Sequence, residues 1–199
     1  MRTAAALLLI GSATLGACKP APVTESVLAN EAAEQKAAAA LTGWDRLFNA
    51  PRTTIPAVNQ YGFQAGDYAG LPGGAESKGR SITISSSLAK APNHADFAAT
   101  GRDAAAIDTL AFAASITDPD NAATAKTRFG TLIRDFLFSA KADGAETIQQ
   151  AIDAEQDAQG TLPGAAWTLK VQPIDGAANN RVITVTFTRP DIQSATSKS

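Results

Sequence analysis

Residues 167–188 read Trp167-Thr168-Leu169-Lys170-Val171-Gln172-Pro173-Ile174-Asp175-Gly176-Ala177-Ala178-Asn179-Asn180-Arg181-Val182-Ile183-Thr184-Val185-Thr186-Phe187-Thr188. Trp167, Leu169 and Val171 alternate with Thr168, Lys170 and Gln172, and 182–188 (VITVTFT) is a second β-branched run. Successive side chains of a strand point to opposite faces, so each run buries one face and wets the other. The turn formers at 175–180 (DGAANN) join the two as a hairpin.

Working outward, the same period of two recurs upstream. Ile82, Ile84, Ser86 and Leu88 alternate with Ser81, Thr83, Ser85 and Ser87, and Leu110, Phe112, Ala114 and Ile116 alternate with Thr109, Ala111, Ala113 and Ser115. Residues 92–102 between these runs are expected to bend or form a short helical turn. After the second run, Thr117-Asp118-Pro119-Asp120 supplies an N-cap, a first-turn proline and an acid near the positive helix end. The helix that starts there carries Ala122, Ala125, Phe129, Leu132, Ile133 and Phe136 at intervals of three or four, a core-facing stripe. Lys141 and Gly144 predict its stop, and Ile148, Ala151, Ile152 and Ala158 predict a weaker helix ending at Gly160. Strands and helices in this order favour an α+β fold: an antiparallel sheet of about four strands with helices packed on one face. No βαβ alternation supports a dinucleotide-binding fold. Ser81, Thr83, Ser85, Ser87, Thr168, Lys170, Thr184, Thr186 and Thr188 then form a solvated outer face.

Residues 24–48 are rich in Glu, Gln, Lys and Ala, strong helix formers, and Leu41, Trp44, Leu47 and Phe48 give the second half a docking face. The Ala-rich residues 24–40 read equally as a free helix or a low-complexity spacer. Residues 49–80 hold several prolines and glycines with no clear period, which predicts a long loop. Tyr61, Phe63 and Tyr68 lie within it, as a candidate ligand surface or as aromatics that pin the loop to the body; packing is preferred.

The start has the three parts of an export signal: Arg2, an apolar run over 4–10, and small residues before a cut site. That run spans about 10 Å as helix, against about 30 Å for a bilayer core. Leu15-Gly16-Ala17-Cys18 resembles the lipobox of bacterial lipoproteins, with Gly16 a mild departure; the resemblance covers only the targeting segment. It implies cleavage after Ala17, transfer of a diacylglyceryl group to the Cys18 thiol, and anchoring through fatty chains of the palmitate kind, two of which suffice for stable attachment. Lys19 in place of Asp after the cysteine favours, by analogy, the outer membrane facing the periplasm. The organisation expected is a signal peptide over 1–17, a lipidated start and spacer or helix over 18–40, in which the two prolines of 19–23 suit a linker, one α+β domain over 41–189, and a disordered tail over 190–199.

Composition narrows the chemistry. The 199 residues include one His and one Cys, so Cys/His metal cages and internal disulfides are excluded. A net charge of −2 offers no field for nucleic acid, which is not an expected partner. Ser87-Leu88-Ala89-Lys90 matches S-x-x-K without its companion motifs. Residues 74–81 nearly match a P-loop but carry Arg80 for Lys. Asp118, Asp120 and Asn121 open a calcium-loop pattern that Ala123 and Phe129 break, and His94 with Asp96 reads as packing or surface. No catalytic residue, metal ligand or cofactor is assigned. The function expected is a non-enzymatic interaction or assembly module, lipid-anchored in the cell envelope, with the membrane and an envelope protein or cell-wall polymer as partners. The alternative is a small periplasmic hydrolase or ligand-binding lipoprotein with its site under residues 49–80.

Overall fold

The computed structural model describes residues 25–85, 91–175 and 179–190. The expected signal peptide, Leu15, Gly16, Ala17, Cys18, the 19–23 linker, Ser86, Ser87, Leu88, Lys90 and residues 191–199 lie outside them. In chain order the elements are α1 (Glu25–Ala40), α2 (Gly43–Asn49), α3 (Pro51–Asn59), β1 (Ala69–Leu71), β2 (Gly74–Lys78), β3 (Ile82–Thr83), β4 (His94–Gly101), β5 (Thr109–Ile116), α4 (Ala122–Ala140), α5 (Ala145–Ala154), β6 (Ala158–Leu162), β7 (Ala165–Pro173) and β8 (Arg181–Thr188).

The expected hairpin forms: β7 and β8 pair antiparallel, with Trp167 opposite Phe187 and Leu169 opposite Val185. β5 pairs with the other side of β8, which places Phe112 beside Val185 and brings the inward residues of three strands onto one face. Ile183, Val185, Phe187, Leu110, Phe112 and Ile116 are fully buried there. Thr168, Thr184, Thr186, Thr188 and Lys170 alternate with buried neighbours and keep partial or full exposure, as the period of two predicts. Ser85 departs from this pattern: it is buried, and its hydroxyl accepts from the Asn93 backbone N–H at 2.9 Å.

Among the described residues the sheet has eight strands, in the order β1-β2-β4-β5-β8-β7-β6 with β3 beside β4, where about four were expected. Three misread stretches account for the difference. β4 occupies residues expected to bend; its inward side chains are Ala95, Phe97 and Ala99, two of them too small to mark a strand, and pairing with β2 and β5 supplies the stability that propensity lacks. The 49–80 stretch is not a long loop but contains α3, β1 and β2. Helix α5 stops at Glu155, which sits in the left-handed region with φ 48°, so the chain turns into β6 instead of running to Gly160.

The expected 24–48 helix breaks at Gly43, where φ is 60°. A Cβ there would stand 3.1 Å from the Lys141 carbonyl oxygen, so glycine suits the close approach of α2 to the end of α4. Helix α2 buries Trp44, Leu47 and Phe48, and α3 buries Ile55 and Val58. Helix α4 starts after a 3₁₀ turn at Pro119–Asn121 and buries the predicted stripe. Its Phe136 ring lies 5.4 Å from Phe112, which also contacts Phe63, Phe97 and Phe187. Helices α2 to α5 thus share one core with the inward sheet face, whereas the described side chains of α1 are exposed but for a half-buried Ala38.

Candidate functional site

Helix α3 and the segment that returns across it form a groove of about 470 Å³. Pro51 occupies the first helical position, where its missing N–H costs nothing, and Thr54 Oγ1 donates to the Leu47 carbonyl at 3.0 Å, tying α3 back to α2. Beyond the helix, Asn59 clamps the returning chain by donating to the Ala65 carbonyl at 2.9 Å and accepting from its N–H at 2.6 Å. Pro51, Ile55, Pro56 and the Tyr68 ring give the groove an apolar side, and Arg52 and Asp67 give it charges of both signs.

Tyr68 joins the groove to an ion network centred on the buried Asp108. Its hydroxyl donates to the Ala106 carbonyl at 2.9 Å, and its pKa is pushed up to about 12, first by burial and then by the fields of Asp108 and Asp103, with Arg189 opposing. The phenol is therefore a neutral donor at physiological pH, unsuited to act as a base. Asp108 is buried and fully used: Oδ2 accepts from the Arg102 backbone N–H and from Arg102 Nε, both at 3.0 Å, and Oδ1 accepts from Arg189 Nη2 at 2.7 Å. Arg189 also donates to Asn49 Oδ1 at 3.4 Å, and its backbone N–H donates to the Asp108 carbonyl at 2.9 Å. This network holds the end of β8 against the α2–α3 corner.

The three sequence-selected aromatics do not converge. Phe63 is fully buried, 5.8 Å from the Phe97 ring and 6.1 Å from Phe112. Tyr61 is half-buried with its ring edge-on to Phe136 at 6.4 Å, and only Tyr68 lines the groove. His94 and Asp96 sit two residues apart on the outer face of β4; Asp96 accepts a hydrogen bond from Ser81, and His94 Nδ1 is buried with no hydrogen-bond partner among the described residues. The P-loop-like stretch is β2 and the residues after it, and the next described element is the strand β3 and not a helix. No group of three or more His, Cys, Asp or Glu able to hold a metal ion occurs among the described residues. Arg52, Asp67, Asp108 and Arg189 were missed by sequence reading. Asp108 directly precedes β5 and Arg189 directly follows β8, ends of two paired strands that are 81 residues apart in the chain, so no local spacing links them; the one local signal was Pro51, a helix start inside the presumed loop. Comparison with protein-family models, with curated proteins and with solved structures found no match to this chain.

Proposed function

We propose that this chain is a lipid-anchored protein of the bacterial cell envelope, attached through Cys18, whose body is a non-enzymatic interaction or assembly module facing the periplasm. The observation that carries the reading is the sole cysteine, which follows a signal-like run and the tetrapeptide Leu15-Gly16-Ala17-Cys18. Helix α1 supports it. Its described side chains bury almost nothing against the body, so the helix suits a spacer of roughly 24 Å between the anchor and α2. No helix among the described residues is long and apolar enough to cross a membrane. The outward sheet face of β5 and β8, with Ala111, Ala113, Ser115, Thr184 and Thr186, presents small, partly exposed side chains to a partner.

Replacing Cys18 by Ser tests the anchor. The variant is expected to leave the membrane fraction or remain uncleaved, while the native chain yields a mature form that starts at residue 18 with the added mass of its acyl groups. An unmodified thiol, or a mature start elsewhere, overturns the proposal.

A second reading, a ligand-binding envelope protein, draws on the groove beside α3, which lies within the 49–80 stretch and joins an apolar side to Arg52 and Asp67. Small-molecule sites are commonly concave and apolar with a few placed polar groups.

A further inference from the structure

Among the described residues β6 ends the sheet: it pairs with β7 on one side and with no strand on the other. The two-residue turn at Pro163 and Gly164 makes Leu162 and Ala165 a hydrogen-bonded pair, so Gln159 and Thr161 fall between bonded pairs and turn their backbone N–H and C=O groups away from β7. Such an edge is a template for another strand unless a charge, a proline or a bulge blunts it. None of these interrupts residues 158–162, which read Ala158-Gln159-Gly160-Thr161-Leu162 and pair with β7 in unbroken register. The charge just before them, Asp157, is tied to β7: its carboxylate accepts from Lys170 Nζ at 2.8 Å and from the Val171 N–H at 2.9 Å. At the other end of the sheet β1 is three residues long and runs into Pro72.

We propose that β6 pairs antiparallel with β6 of a second copy of this chain, about a two-fold axis through Gly160, so that the two sheets become one across the interface. The sequence is self-complementary in this register. Gln159 faces Thr161 of the second copy and exchanges backbone hydrogen bonds with it, Ala158 faces Leu162, and Asp157 faces Pro163, so no charge meets its like. Gly160 meets itself in a pair without hydrogen bonds, where Cα atoms approach to about 4.5 Å. Its core side is already occupied, because a Cβ there would stand 2.8 Å from Nε1 of the Trp167 ring. Ala158 and Leu162 pack against the core and keep part of their surface exposed, which the pairing covers. A two-fold pairing uses the same edge on both copies and closes on itself at two chains. The proposal names a partner for the interaction module and is independent of the anchor at Cys18.

The test is sedimentation equilibrium with amide hydrogen exchange on the full chain carrying Cys18→Ser, which removes the sole cysteine and with it any disulfide between copies. The average mass is expected to rise with concentration from one chain to two and to stop there. Exchange at the Gln159 and Thr161 amides is expected to slow by about tenfold or more over the same series, as mass action requires. Gln159→Lys with Thr161→Lys sets like charges opposite each other across the axis and is expected to leave a single chain at every concentration. Gln159→Lys with Thr161→Glu sets opposite charges there and is expected to restore the pair, which separates lost pairing from lost folding. A single chain throughout, a pair that survives the double lysine variant, a lysine–glutamate variant that stays single, or a mass that grows past two chains overturns the proposal. Slow exchange at both amides that does not change with concentration also overturns it, because it assigns the edge to a segment of the same chain.

Discussion

Tyr68 shows how a single side chain joins two parts of the molecule. Its folded-state pKa, pushed up to about 12, stands above the ordinary value of 10.0, so the folded chain holds the phenolic proton more tightly than the unfolded chain does. The stability it contributes is fully present below pH 10 and is lost as pH rises through about 12. Thermal midpoints measured from neutral pH into this alkaline window are expected to fall for the native chain and to fall less for Tyr68→Phe. The same residue explains Gly101, where a Cβ would collide with the Tyr68 hydroxyl and with the Ala106 carbonyl oxygen at 2.5 Å. Gly101→Ala is expected to push Tyr68 out of place and cost about 1–3 kcal/mol in denaturant unfolding, the usual range for forcing a side chain into occupied space. Asp108→Asn should cost about 3 kcal/mol by the same measurement, because it removes the counter-charge of Arg189, whose side chain is 16 % exposed. A loss within error for Asp108→Asn would mean that the network does not hold β8 to the α2–α3 corner.

At the scale of elements, Glu155 is the joint between α4, α5 and β8. It pairs with Arg181 and lies 2.5 Å from Lys126 Nζ, and these contacts, the Arg181 hydrogen bond foremost, hold its carboxyl below the ordinary value of 4.5 against the opposing effect of burial. A lowered pKa contributes stability that is present above pH 4.5 and is lost as pH falls through the folded value. Glu155→Gln is expected to flatten that acid loss and to cost about 1 kcal/mol near neutrality, a modest figure because the three side chains remain 19–22 % exposed. The elements that were legible in the sequence are those whose own side chains mark a period: β5, β7, β8 and α4 each bury large apolar residues at the expected spacing. β4 was not legible because alanine serves its buried face at Ala95 and Ala99, and β1, β2 and β6 are short strands toward the two ends of the sheet with few large apolar residues. Their signal lay in the turns. Leu71-Pro72-Gly73 and Leu162-Pro163-Gly164 recur at the two edge hairpins, and Gly73 and Gly164 both have φ 98°, the positive value that a type II turn requires after proline. Most of the groove was illegible for another reason: its walls come from α3 and the return segment, and only folding brings Arg189 and Asp108 beside them.

Taken whole, the molecule has a body with one continuous core, which takes in none of the described side chains of α1. Both tryptophans, Trp44 and Trp167, are buried in the body, so their fluorescence reports its unfolding alone. Phe112, at the centre of four aromatic contacts, couples the sheet to α4, and Phe112→Ala is expected to cost about 3–5 kcal/mol, a large share of the roughly 5–15 kcal/mol that stabilises a typical domain. Helix α1 should behave in the opposite way. Proline within a helix costs about 3 kcal/mol or more locally by removing a hydrogen bond and clashing with the preceding turn. Ala33 is exposed in the middle of α1, whose described side chains stay out of the core, so that local loss is expected to have no route into it. Ala33→Pro is therefore expected to lower the helical signal in circular dichroism while leaving the tryptophan-monitored denaturant midpoint unchanged within about 0.5 kcal/mol. A midpoint that falls with the helical signal would show α1 to be part of the cooperative body, and the spacer role assigned to it would fail with that result.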